Sequence, residues 1–477
     1  VSILGLHLDD AAFAVARDGA PLGVVAPSIV HADPADAACF GAPAADAARR
    51  TPHRVSHGHW AAFGVADDDG PGASRTTAAR AALTVAAAEL RRRVAPQLSP
   101  GDRLHIAVPA SLDAAALGWV LAACRQAALP VAGFHDAAAL AVAALGLEGE
   151  VIVPAIGLTH LSATRVVVAD GEARRRAVRV SREAGLLAMQ QRWLEMVAEA
   201  MVLRSRFDPL HDAASEQRLY DLLPAAAARA AREGSATIEL PVGATSCAVT
   251  LSRDQFAAAV RPQTRALAAS VDALRSDGAP PTLLLSTALL DLPGVVEALS
   301  AAPGVRLHAM DVDLVARAAS SLPVPAGVAA DGAAQGPAAE EVPLRRGVAV
   351  GATLGEARPV EAAAEAVRAA PTHVLWRGAA IALVPGGALE VGRAPAADGI
   401  RLDEGLAGVS RLHCTLRHGP DGVQVIDHAA HGTWLNGRRV AGRARLAAGD
   451  RLRIGDPGVE LALIAVGPEA AVDAGAG

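Results

Sequence analysis

LGLHLDDAAFAVARDG, residues 4–19, holds two apolar runs, Leu4 to Leu8 and Phe13 to Ala16, hinged on Asp9 and Asp10. Such runs around a polar pair predict a strand, a tight turn and a returning strand. Working outward, RLHIAVPA (103–110) reads as a buried strand and DAAALGWVLAACRQAAL (113–129) has helical spacing. EVIVPAIG (150–157) and TRVVVADG (164–171) are strands, and a helical stretch follows over about 181–232. TIELPVG (237–243), SCAVTLS (246–252), a helix over about 253–276 and the strand TLLLS (282–286) complete the pattern. Strands interleaved with helices predict an α/β domain over residues 1–323.

VPAGVAADGAAQGPAAEEVP (324–343) is poor in bulky apolar residues and rich in Pro, Gly and Ala, the composition of a linker. With LRRGVAVGATLGEARP after it, a tether is expected over 324–370. From 371 the texture changes to short alternating strands parted by turn signals, GPDG (419–422) and Asn436–Gly437 among them. These predict a small antiparallel sandwich over 371–466 and a tail over 467–477.

Composition narrows the function classes. The 477 residues are 52% hydrophobic with mean hydropathy +0.29, ample for packed cores. A net charge of −6 argues against a broad nucleic-acid surface. No run reaches the roughly 18 apolar residues of a membrane span. The nearest approach, AALAVAALGL (138–147), is bounded by His135–Asp136 and Glu148 and reads as a buried helix. No leader pattern is read, and Cys39, Cys124, Cys247 and Cys414 are scattered, so reduced thiols in a cytoplasm are expected. All 44 basic residues are arginine and Asn436 is the sole asparagine. Lysine-dependent phosphoryl transfer and Schiff-base chemistry are therefore excluded.

Residues 1–323 resemble the nucleotide-binding domain of DnaK-type heat-shock chaperones, within the actin-like ATPase superfamily. The opening hairpin, APSIVHADPADAACFGAPAADAARRTP (26–52), HIAVPASLDAAALGWVLAACRQAALPVAGFHDAAALAVAALG (105–146), LSRDQFAAAVRPQTRALAASVDAL (251–274), LLLSTALLDLPGVVEAL (283–299) and DVDLVARAASSLP (311–323) carry the likeness in order. It implies an actin-like, duplicated ribonuclease-H-like α/β fold. The loops that hold nucleotide in the family are altered. The first phosphate hairpin, an acidic metal-shell residue, a glycine and hydroxyl residues in the family, reads His7, Asp9, Asp10 and Ala11. The second, an aspartate, three glycines and a threonine in the family, reads Ala155, Ile156, Gly157, Leu158, Thr159 and His160. The adenosine loop reads Thr287, Ala288 and Leu289, where side chains take the nucleoside's space. Around Phe134 to Asp136 there is no glutamate to act as the family's catalytic acid. Degenerate nucleotide loops, no cofactor, no metal and no catalytic residue are expected, and Asp9 and Asp10 read as a solvated turn.

Residues 371–466 resemble a forkhead-associated (FHA) domain, a sandwich whose loops bind phosphothreonine. Gly392–Arg393, SRLH (410–413), HGTWLNG (431–437) and LAAGDRLRIG (446–455) carry the likeness. A nearly dianionic phosphate wants a planar arginine fork and short neutral donors. The resemblance assigns the fork to Arg393, a hydroxyl to Ser410, a second cation to Arg411 and a peptide contact to His431, where the family has asparagine. Gly392, His413, Gly432, Thr433, Asn436 and Gly437 fall to the structural motif. Eleven arginines against nine acidic residues over 371–466 leave the module slightly cationic.

The combined expectation is a multidomain, non-catalytic adaptor: an α/β pseudo-ATPase scaffold joined to an all-β phosphothreonine reader. Its expected partners are phosphothreonine proteins, a Ser/Thr kinase or its substrate, with no nucleic acid and no membrane. A nucleotide-regulated chaperone or actin-like ATPase localised by its FHA module is the alternative. Two plain protein-binding domains are a third reading. Thr353, in the expected tether, is a candidate regulatory phosphosite within reach of the FHA loops.

Overall fold

Buried strands built from Leu, Val, Ile and Ala need both faces covered, and the first unit of the chain meets that need with helices on two sheets. The computed structural model describes residues 2–25, 29–31, 38–57, 59, 72–182, 184–243, 245–276, 281–301, 304–323, 344–351, 353–360, 370–396, 398–403, 405–406, 408–419, 422–429, 432–436, 438–455 and 458–465. Contacts divide the chain into two units, Val1–Ala362 and Ala363–Gly477.

In the first unit the predicted hairpin forms: Ile3–His7 pairs antiparallel with Phe13–Arg17, which pairs antiparallel with Ala20–Val25. On its other side Ile3–His7 runs parallel to Arg103–Val108, and that strand parallel to Val131–Asp136. The second sheet repeats the scheme. Gly149–Ile156 pairs antiparallel with His160–Ala169, which pairs antiparallel with Glu172–Arg182. Gly149–Ile156 also runs parallel to Thr282–Ser286, itself parallel to Arg306–Met310. Each sheet is thus a three-stranded antiparallel meander extended by two parallel strands. The helix Ala137–Ala144, with every residue buried, packs in the core beside the second sheet.

The structure differs from the sequence expectation in three places. The helical stretch over 181–232 is the end of the strand Glu172–Arg182 and two helices, Leu186–Ser205 and Ala213–Glu233. Arg206, at φ 58, ends the first, and the Asp212 carboxylate caps the second. The expected helix over 253–276 is likewise two, Arg253–Ala259 and Arg261–Asp272, parted at Val260 with a proline in the second helix's first turn. Within the expected tether, residues 344–360 add strands to the first unit. Leu344–Arg345 runs parallel to Val131–Asp136, Gly347–Ala349 pairs with Glu172–Arg182, and Arg358–Pro359 pairs with Arg306–Met310. Unpaired edges of both sheets capture a segment that composition alone marks as loose. Residues 324–343 lie outside the described ones.

The second unit is two β-sheets over one core. His373–Trp376, Val459–Ile464, Arg451–Ile454 and Thr433–Leu435 are neighbours in one sheet, and Ala388–Gly392, Cys414–Gly419, Gly422–Asp427 and Arg443–Leu446 in the other. The period-2 pairs Val423/Val425, Leu452/Ile454 and Leu461/Leu463 point inward and are fully buried. Each such side chain contributes about 1.5–3 kcal/mol. Loops between these strands carry the polar residues of interest.

Candidate functional site

The first hairpin and the hairpin joining Gly149–Ile156 to His160–Ala169 meet directly. Asp10 is 7% exposed, and its Oδ1 accepts the Leu158 N–H at 2.9 Å. Asp9 Oδ1 accepts the Ala11 N–H at 2.9 Å. A Cβ on Gly157 would stand 2.4 Å from Asp10 Oδ1, so only glycine lets this carboxylate reach the second loop. Asp10 Oδ2 has no hydrogen-bond partner, and His160 Nδ1 is 3.8 Å away, beyond hydrogen-bond length. Burial pushes both carboxyls up, to about 6, and the charge of Asp9 adds to the shift of Asp10. Burial also lowers His7 to about 4, which keeps it neutral.

The solvated-turn expectation for Asp9 and Asp10 is therefore corrected. Asp10 is buried because the second loop folds over it and donates an N–H. Asp9, Asp10, His7, Ala155, Gly157 and His160 are among the residues around a cavity of about 80 Å³ whose lining includes two carboxylates and no arginine. Ala11 and Leu158 turn instead into an apolar cluster with Ile29 and Ala44. Thr287 and Ala288 open the short helix Thr287–Leu290 outside the cavity lining. Asp136 caps the helix Ala137–Ala144 through the Ala139 N–H and meets Arg175 Nη1 at 2.9 Å. A polyphosphate between the hairpins would face Asp9 and Asp10 and find the Leu158 N–H already taken, so the residues present do not fit a nucleotide. Among the described residues, no group of three or more His, Cys, Asp or Glu could hold a metal ion, and no helix is long and apolar enough to cross a membrane.

The sandwich loops have the opposite character. Gly392 ends its strand against the 411–413 backbone, where a Cβ would stand 2.1 Å from the Arg411 carbonyl oxygen. That close approach lets the Arg393 N–H donate to the Ser410 carbonyl at 3.0 Å and the Ala394 N–H to that of Arg411 at 2.9 Å. Arg393 and the 410–411 loop are thereby fixed side by side. The Arg393 side chain is half-buried, and its Nε is buried with no hydrogen-bond partner. Arg411 is exposed, and among the described residues neither arginine pairs with a carboxylate. A half-buried guanidinium with no carboxylate partner among the described residues leaves its outer N–H groups free to bond an anion.

His413 locks this loop to the next one. Its Nδ1 accepts the Ser410 N–H at 3.2 Å, so its Nε2 carries the proton and donates to the Gly432 carbonyl at 2.9 Å. Thr433 is fully buried, and its hydroxyl donates to Asp427 Oδ1 at 2.8 Å. Asp427 also accepts the Ala429 and Thr433 N–H groups. Asn436 adopts φ 51, donates to Asp450 Oδ1 at 2.8 Å and accepts the Arg451 N–H at 2.9 Å. The two aspartates escaped the sequence reading because a lone carboxylate in a loop gives no sign of the N–H groups it gathers. His431 and Gly437 lie outside the described residues. Arg393, Ser410, Arg411 and the 432–436 backbone are what the structure brings to this end of the sandwich.

Thr353 is exposed, but its neighbours tie it to the first unit. The Leu354 N–H donates to the Ala144 carbonyl at 2.8 Å, and Arg317 Nη2 donates to the Leu354 carbonyl at 2.7 Å. The expectation that Thr353 sits on a free tether is corrected accordingly, because the strands on either side of it fix the segment.

The two-sheet sandwich brings Arg393 and Arg411 side by side on neighbouring loops, and among the described residues neither pairs with a carboxylate. Residues 389–455 match the family described as FHA domain. No curated protein matches the chain. FHA domains bind phosphothreonine-containing partners, and this one gives the chain that capacity.

Proposed function

We propose that this protein is a non-catalytic phosphothreonine-binding adaptor acting with a Ser/Thr protein kinase. The observation that carries the reading is Arg393, whose half-buried guanidinium has no partner at Nε and whose backbone is bonded to the Ser410 loop. Arg393 would supply the fork, Ser410 a neutral donor and Arg411 a second cation, with His431 on the peptide side. The four cysteines are all free, which suits a cytoplasmic setting. The kinase itself or one of its substrates would present the phosphothreonine.

For the first unit we propose a degenerate actin-like, DnaK-like domain that serves as a scaffold. Support comes from two sheets with one strand order and from facing hairpins at the position of the family's phosphate loops. The buried Asp10 carboxylate, bonded to the Leu158 N–H, supports loss of nucleotide binding. Calorimetric titration of the full chain tests both halves: Mg-ATP should give no heat, and a phosphothreonine peptide should bind where its unphosphorylated twin does not. Micromolar ATP binding would favour the nucleotide-regulated chaperone instead.

A further inference from the structure

We infer that the first unit carries a separate binding site for a small amphipathic carboxylate, in the cavity of about 400 Å³ bounded by His105, His135, Arg345 and an apolar wall. The inference does not depend on the phosphothreonine reading. Register builds the polar end. His105 and His135 stand on neighbouring parallel strands with Nδ1 of the first 2.7 Å from Nε2 of the second, and Leu344–Arg345 runs beside the outer strand with Arg345 opposite His135. His105 is 1% exposed, and its Nε2 has no hydrogen-bond partner. Among the described residues Arg345, which is exposed, pairs with no carboxylate, and none of those that line the cavity is Asp or Glu.

The chemistry of the lining selects the ligand. Burial and the Arg345 charge hold both imidazoles neutral, so the pair can turn one N–H toward an anion without adding charge. The guanidinium supplies the charge-assisted hydrogen bond. Leu140, Ala143, Ala318, Leu322, Val348 and Leu354 supply an apolar wall. The volume lies within the range of ligand pockets. A cationic head would meet Arg345, and a bare anion would leave the apolar wall wet. A carboxylate on a short hydrocarbon tail satisfies both ends.

Octanoate, below its aggregation concentration, is the probe for calorimetric titration of the full chain at neutral pH. Saturable binding is expected, with octylammonium and acetate at least tenfold weaker. Arg345→Glu changes an exposed side chain and should weaken octanoate at least tenfold while leaving the thermal unfolding midpoint within a few degrees. A second variant, Ala318→Leu, narrows the cavity and should also weaken binding. Absence of heat with octanoate would overturn the assignment. So would equal affinity for octylammonium, or an Arg345→Glu chain that folds and binds octanoate as the parent does.

Discussion

Two loop-built clusters in this chain carry opposite charge. Between the hairpins of the first unit, Asp10 reaches 148 residues along the chain to take the Leu158 N–H, and among the described residues no arginine lines the cavity. At the loop end of the sandwich, Arg393 and Arg411 stand beside Ser410 with no carboxylate partner among the described residues. A backbone N–H is available to an anion only if the protein has not already supplied an acceptor. The contrast shows that loop geometry alone does not make a phosphate site. What matters is which donors are left unspent.

The largest expected effect is acid sensitivity of the first unit. His59, His105 and His135 are 1%, 1% and 4% exposed, and burial lowers them from 6.5 to about 3, 4 and 3. A histidine with a lowered folded pKa contributes stability above its unfolded value that is lost as pH falls through 6.5. Each costs up to about 1.4 kcal/mol per pH unit below that point. Asp9 and Asp10, both raised to about 6, work the other way between pH 6 and 4 but are outnumbered by the three histidines. Urea unfolding at pH 7.5 and 5 should show the first unit losing several kcal/mol. Equal midpoints would contradict the burial of neutral imidazoles.

Next comes the arginine fork. Hydrogen bonds to charged groups contribute about 1.5–3 kcal/mol, so Arg393→Ala should weaken phosphothreonine-peptide binding by at least about tenfold. Arg393→Lys should recover only part, because an ammonium lacks the planar two-pronged geometry. Fluorescence anisotropy measures both. Full rescue by lysine would reduce the site to a point charge.

A smaller effect sharpens the comparison from the other side. Asp10→Asn keeps an acceptor for the Leu158 N–H and removes a buried charge, so the first unit should gain about 1–2 kcal/mol at pH 8. The penalty on a carboxyl with a raised pKa is complete above pH 6 and absent below about 4, so the gain should fade across that window. A loss of stability at pH 8 would mean that the charge itself holds the hairpins together. Ser410→Ala should have the smallest effect, a few-fold loss of peptide affinity, because only a neutral donor disappears.

Much of the sandwich was legible in the sequence because its signals are local. Alternating apolar pairs such as Val423/Val425 mark the strands. Gly392–Arg393, SRLH and HGTWLNG hold their chemistry within a few residues of each other. In the first unit the opening hairpin was legible, but its contact with the second hairpin was not. The solvated-turn reading of Asp9 and Asp10 failed because the group that buries Asp10 belongs to a hairpin 148 residues away. The strand Glu172–Arg182 was missed in the sequence reading because five arginines interrupt its apolar pattern. Strands of two or three residues at 344–359 carry no periodicity of their own, and the partners that define them lie in both sheets.

The central claim is that the unspent arginines of the sandwich read phosphothreonine. Its most direct test is anisotropy of a phosphothreonine peptide library on the full chain, each peptide paired with its unphosphorylated twin. At least one phosphopeptide should bind ten times or more tighter than its twin, and that preference should vanish in Arg393→Ala. If no peptide gains from its phosphate, or the preference survives Arg393→Ala, the account of the site is wrong.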